Sequence, residues 1–231
     1  ILSRYFRYDE KTYKNIHNLK TKISKIDDLK KNKTEIDNLE KEITLFHAKA
    51  VKEILKLTEK KIDFVGFHGQ TIYHNPLKKV SIQVGNGNLL SQLTKKIVIF
   101  NFRQNDIKNG GEGAPLVPIF HRLIVKQKKI ELPVCVLNIG GIANITAISE
   151  YDKDSFLSRD LGPGNCLIDE WIRSNTKNKY DINGKIAKTG NINEIILNQA
   201  LENFDNRCNQ KILSFDTKDV SLGFVRGLSK E

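Results

Sequence analysis

Methionine is absent from the 231 residues, and the chain carries only three cysteines, one tryptophan and five prolines. Without a methionine at its head, Ile1 does not read as a natural translation start. Cys135, Cys166 and Cys208 are odd in number, far apart and without a partnering histidine spacing, so neither a disulfide framework nor a zinc site follows. Cys135 lies in an apolar run and reads as packing, while Cys166 directly follows Asn165 and is given no chemistry. These thiols are compatible with a reducing cytoplasm. No apolar run approaches the roughly 20 residues of a membrane span, and the charged, broken opening ILSRYFRYDE is not a signal peptide. Arginine-rich runs, zinc-finger spacing and aromatic RNA-binding boxes are missing as well. The net charge of +11 therefore reads as lysine scattered over a solvated surface.

What is present describes a globular chain: 39% hydrophobic and 28% charged residues, and enough length for one large domain or two small ones. The pattern divides into a helical, lysine-rich segment over residues 1–61 and an α/β segment over 62–231. Up to about residue 34 apolar anchors are few, which predicts short helices or loops on the surface. From Glu35 onward, Ile36, Leu39, Ile43, Phe46, Ala50, Ile54 and Leu57 recur at steps of three and four, predicting an amphipathic helix packed on a sheet. The run is too short to favour a coiled coil. Residues 62–67, 80–84 and 96–101 read as strands, with a helix beginning at 88. Further helices are expected over 114–126, 166–173 and 193–204.

The stretch 137–165, LNIGGIANITAISEYDKDSFLSRDLGPGN, organises the rest. Gly140-Gly141 and Gly162-Pro163-Gly164 each follow an apolar or alternating run that ends in a polar residue. That is the pattern of strands bringing Asn138, Asn144, Asp160 and Asn165 to one edge of a sheet, and three of these four are uncharged hydrogen-bonders, as suits a site that must admit an anion. Paired glycines let the backbone take positive φ and aim successive N–H groups at a phosphate. VCVLNIGG enters the turn and IANITAIS leaves it, so the unit is a β-hairpin. A hairpin without a ligand satisfies the same pattern, and Asp160 also fits as a turn-forming aspartate before Gly-Pro-Gly.

Upstream, a strand ending at His68-Gly69-Gln70-Thr71 places an imidazole, a carboxamide and a hydroxyl on a loop at a sheet end, where α/β proteins gather ligands. A structural histidine accounts for it equally well. Arg103 and Asp106 precede a glycine-rich loop, with Pro115 placed where a helix could start. A surface salt bridge beside a flexible loop is the alternative there. His121 reads as a packing or surface residue. The string DING at 181–184 lacks the rest of an EF-hand, so calcium is rejected.

HGQT, IQVGN, GGEGAPLVP, LNIGGIANIT, a hairpin and then DLGPGN, in this order, resemble the anhydro-N-acetylmuramic acid kinases, sugar kinases of the actin, hexokinase and Hsp70 ATPase superfamily. The likeness runs from about residue 63 to the end of the chain. It implies an α/β fold of the actin-like ATPase (ribonuclease H-like) type, a mixed sheet with flanking helices. Here that fold is expected to be incomplete, because the family's opening phosphate loop and its closing adenine-binding turn have no counterpart in these residues. The resemblance implies ATP and Mg²⁺ as cofactors, with no metal ligand assigned among the side chains. It also implies a small amino-sugar substrate, a cytoplasmic setting and a homodimer or complementing chain, with no nucleic acid or membrane as partner.

Position in the motifs gives Asp160 the role of catalytic base. Asn138, Gly140, Gly141, Asn144, Gly162, Gly164 and Asn165 are implied to hold the nucleotide phosphates, and His68, Gly69, Gln70, Thr71, Arg103 and Asp106 to contact the sugar. Asn101 stands where the family usually has an acidic residue, and Gln104 and Asn105 lie in a segment it keeps richer in arginine. The implied reaction opens the anhydro ring of 1,6-anhydro-N-acetylmuramic acid with water while O6 takes the γ-phosphoryl of ATP. Two other classes stay open: an inactive remnant or half of a split kinase, and a basic nucleic-acid-binding module, which would bind in a salt-sensitive way.

Overall fold

In this computed structural model the described residues are 2–75, 77–151 and 156–208, the last four by backbone alone. The chain forms two compact units, residues 1–114 and 115–231.

The first unit opens with α1 (Glu10–Lys22), capped by Asp9, whose carboxylate accepts the Thr12 N–H at 2.7 Å. A short α2 (Ile26–Lys31) leads to the 24-residue α3 (Lys33–Lys56). The expected surface character of residues 1–34 is corrected here. Ile16, Leu19 and Ile23 are buried in the same core as Leu39 and Ile43. Three anchors at the right helical spacing bury one face of α1 however polar the residues between them. α1 is also tied to α3 by Thr12 Oγ1, which donates to Glu42 Oε1 at 2.5 Å. On α3 the anchoring face holds as far as Ala48, but Leu57 only caps the helix and stays exposed.

β1 (Phe64–Phe67) pairs in parallel with β4 (Ile97–Phe100), and α4 (Gly87–Thr94) lies in the crossover that such pairing requires. Between them β2 (Gln70–Asn75) and β3 (Val80–Val84) form an antiparallel pair. Gln70 and Thr71 therefore belong to a strand, where a loop was expected. A register shift between Thr71 and Tyr73 makes Ile72 a bulge residue, which buries Ile72 and Tyr73 together and hides the alternation that would have marked the strand. α5 (Phe102–Lys108) closes this unit's regular structure and carries Arg103 and Asp106 on a helix.

In the second unit α6 (Pro118–Lys128) starts later than the expected 114. Pro118 explains this: a helix begun at Pro115 would need the residue-118 N–H for its first hydrogen bond. β5 (Val134–Ile139), β6 (Ile142–Ile148) and β7 (Phe156–Pro163) form an antiparallel sheet in that order. Strand orientation is thus mixed across the described residues but distributed over three small sheets. α7 (Cys166–Asn175) follows, then two short 3₁₀ turns around Asp181 and α8 (Glu194–Cys208). Asp181 accepts the Ile186 and Ala187 N–H groups, both at 3.0 Å, so the DING segment is a self-capped turn. The odd-numbered side chains of β5 and β7 leave an apolar face open, with Leu137, Ile139 and Leu157 53%, 60% and 59% exposed.

Two helices end on a lysine in the left-handed region: Lys95 after α4 (φ 56°) and Lys129 after α6 (φ 51°).

Candidate functional site

The expected site residues fall into two groups, one in each unit. In the first unit the short β1 delivers His68 beyond its end, and α5 presents Arg103. Arg103 Nε donates to His68 Nε2 at 2.8 Å. His68 Nδ1 lies 2.9 Å from the Gly69 carbonyl, to which it must donate, so the ring is the neutral Nδ1–H tautomer with Nε2 accepting. Partial burial is the main cause lowering the His68 pKa below 6.5; the Gly69 carbonyl opposes it and the Arg103 charge adds to it. His68 as a whole remains exposed.

Arg103 and Asp106 then grip a single residue. Arg103 Nη1 donates to the Gly113 carbonyl at 2.7 Å, and the Gly113 N–H donates to Asp106 Oδ2 at 2.8 Å. Gly113 has φ +73°, with the Arg103 carbonyl and the Ile107 side chain within about 3 Å of where a Cβ would stand, so this hub admits only glycine. The loop 109–113 is therefore held at its far end by two charged side chains one helical turn apart.

Gln70 and Thr71 turn to other partners. Gln70 Nε2 donates to the Tyr8 hydroxyl at 3.2 Å, and Thr71 Oγ1 accepts from Gln83 Nε2 at 3.3 Å. The bulge at Ile72 places Thr71 and His74 on the same strand face as Ser81 and Gln83. Along it His74 Nδ1 meets Ser81 Oγ at 3.0 Å and Gln83 Nε2 donates to Ser81 Oγ at 2.8 Å. The alternation of VSIQV carried the signal for Ser81 and Gln83, whereas Tyr8 and the Gly113 hub had none that a local pattern could show.

The second unit's group sits at the turn end of β5–β6–β7. Asn138 pairs with Asn144 and Asn144 with Asp160, so the three side chains form one cross-strand row on one face. Thr146, two residues along β6 from Asn144, accepts or donates at 2.9 Å with His121 Nδ1 of α6, which identifies this as the face that α6 covers. His121 is thus a packing residue, as expected. A bulge at Leu161 lies beside Asp160, and such irregularities re-aim the neighbouring side chain.

The two glycine turns are stitched together. The N–H groups of Gly164 and Cys166 donate to the Gly141 carbonyl at 2.9 and 3.1 Å, and that of Asn165 to the Gly140 carbonyl at 2.7 Å. Asn165 Nδ2 adds a 3.2 Å bond to the Ile139 carbonyl. Neither Gly140 nor Gly141 has the positive φ expected of them; among the described residues of this stretch only Gly162 does. The turns need glycine for close approach instead, since the Gly140 carbonyl occupies the space a Cβ on Gly164 would take. These amides are engaged within the knot, and the Asn138–Asn144–Asp160 row lies beside it.

Small sheets of mixed strand orientation with flanking helices, bearing glycine turns and a carboxamide–carboxylate row at strand ends, make this a mixed α/β protein, and the family it matches is one of sugar kinases of the actin-like ATPase fold. The sequence model of the anhydro-N-acetylmuramic acid kinase family matches residues 3–207, and the chain belongs to that family. A protein of Pelagibacter ubique (strain HTCC1062) named anhydro-N-acetylmuramic acid kinase is 58% identical over all 231 residues, which span 62% of it. Proteins of the same name are 42% identical over 161 residues in Methylobacterium nodulans and 40% identical over 193 residues in Zymomonas mobilis. The matched residues span 62%, 42% and 52% of the lengths of these three relatives, in that order.

Proposed function

We propose that this chain is part of an ATP-dependent kinase that converts 1,6-anhydro-N-acetylmuramic acid to N-acetylmuramic acid 6-phosphate in the cytoplasm, serving cell-wall recycling and amino-sugar catabolism. The observation that supports this reading most is the Asn138–Asn144–Asp160 row, in register beside the stitched glycine turns. Asp160 is the group that takes a proton from the attacking water, and a neighbouring carboxamide holds that water without competing for its proton. Asn138 and Asn144 donate to phosphoryl oxygens, and the rigid stitching keeps them from reorganising as charge moves. In the first unit Arg103, fixed by His68 and Gly113, meets the acidic sugar.

Among the described residues no three His, Cys, Asp or Glu side chains converge as a metal cage. Mg²⁺ is commonly held through substrate phosphates with one or two carboxylates, and no side chain of this chain is assigned to it. When bound, Mg²⁺ neutralises phosphate charge during transfer. A second reading, a piece that acts only with complementing chain, is favoured by the span of at most 62% of these relatives and by the open apolar sheet face. A homodimer, also implied by the family resemblance, would not supply that chain and is a separate proposal.

The test is a product assay with Mg-ATP and the anhydro sugar, read by mass spectrometry. Product from the chain, lost in Asp160→Asn, supports the first reading. Folded chain that gives product only when the remaining segments are added supports the second. No product even then refutes the kinase assignment.

A further inference from the structure

The aromatic side of the first unit holds Gln70 by a residue outside every motif considered so far. Tyr8 precedes α1, 62 positions from its partner, and its ring packs on Phe46 (centroids 4.4 Å apart) and against His47 (5.9 Å). His47 in turn meets Phe67 at 5.0 Å, the last residue of β1 before His68. His47 Nδ1 donates to the Ile43 carbonyl at 2.8 Å, and burial, which outweighs that bond, lowers its pKa, so the imidazole packs as a neutral ring. Burial likewise raises the Tyr8 hydroxyl above 10, against the lowering effect of Gln70, so it stays protonated at any working pH. The result is an aromatic wall running from the core to the half-buried Tyr8, whose phenol oxygen meets Gln70.

That oxygen accepts from Gln70 Nε2. A carboxamide whose N–H₂ end is fixed offers its carbonyl end in one direction, so Gln70 Oε1 becomes a defined acceptor. Acceptors of this kind suit a sugar hydroxyl or an N-acetyl N–H. We infer that Tyr8 is a positioning residue that orients Gln70 Oε1 as a hydrogen-bond acceptor for the amino sugar. The inference rests on the kinase reading above, and it concerns sugar recognition, with no part in phosphoryl transfer.

Tyr8→Phe removes only the hydroxyl and keeps the ring between Phe46 and His47. Two measurements on the full chain decide the matter. The first is the affinity for 1,6-anhydro-N-acetylmuramic acid by calorimetry in the wild type, Tyr8→Phe, Gln70→Ala and the double variant. Tyr8→Phe is expected to weaken binding about three- to tenfold, to lower Tm by no more than about 6 °C so that the chain stays folded at the assay temperature, and to add nothing in the Gln70→Ala background. Unchanged affinity in Tyr8→Phe, or an equal loss with Gln70 already removed, overturns the inference. The second is the Gln70 side-chain NH₂ signal in ¹⁵N-resolved NMR without ligand. It is expected to shift in Tyr8→Phe, and a signal that stays in place overturns the tether. Wild-type chain that binds no sugar counts against the kinase reading, while the NMR comparison still decides whether Tyr8 holds Gln70.

Discussion

Gly164→Ala should unlock the second unit. A Cβ at this position would overlap the Gly140 carbonyl oxygen and come within 3.2 Å of the Ala143 nitrogen, both backbone atoms that no side-chain rotation can clear. The two turns would have to part, and three hydrogen bonds depend on their contact: Gly164 and Cys166 to the Gly141 carbonyl, and Asn165 to that of Gly140. At a net of about 0.5–1.5 kcal/mol each, the expected loss is about 1.5–4.5 kcal/mol. Trp171, the only tryptophan, lies on α7 immediately after the knot, so its fluorescence reports this unit and leaves the other silent. With a urea m-value of about 1–1.5 kcal/mol/M for a unit of this size, the midpoint should fall by about 1–4.5 M. Gly190→Ala serves as control, because its Cβ would meet nothing nearer than the Ala187 oxygen at 3.7 Å. A Gly164→Ala midpoint within about 0.3 M of the wild type would show that the turns are not coupled as described.

His68 should titrate below 6.5 by NMR, since burial and the Arg103 charge depress its folded pKa. The unfolded chain then binds more protons just below 6.5, so first-unit stability should fall as pH drops from 6.5 towards the folded value, with His47 contributing in the same direction. A midpoint at or above 6.5 would contradict the neutral tautomer. Asp106→Ala frees the Gly113 N–H, and hydrogen exchange at that amide should accelerate by an amount equivalent to about 1–2 kcal/mol; unchanged protection would mean Arg103 alone holds the loop. Thr44 is fully buried, donates to the Glu40 carbonyl at 2.6 Å and accepts the Asn86 N–H at 2.9 Å. Thr44→Val strands that N–H and should cost about 1–3 kcal/mol in thermal unfolding, whereas a neutral effect would mean that Asn86 finds another acceptor.

What the sequence disclosed was periodic or local. The spacing of Leu39 and Ile43 marked α3, and VCVLNIGG–IANITAIS marked the hairpin with its two-residue turn. The cross-strand row could be anticipated as residues gathered at one edge, but its register could not, because the pairing of Asn144 with Asp160 depends on a bulge. Contacts between distant residues were beyond any local pattern. His68 and Arg103 are 35 positions apart, and Tyr8 and Gln70 are 62. α5 escaped because it spans only seven residues with a single buried side chain, Ile107, and so shows no repeat for a period to emerge from.

The lysines that close α4 and α6 give the basic composition a backbone role. Glycine would occupy a left-handed terminal residue without steric cost, and lysine does not. In return the ammonium group stands at the negative end of each helix, where its charge is favourable. Salt screens the second effect and leaves the first untouched. The ends of these two helices are therefore places where ionic strength alters which amino acid the backbone prefers, so that Lys95→Gly and Lys129→Gly gain more in concentrated salt than in dilute buffer.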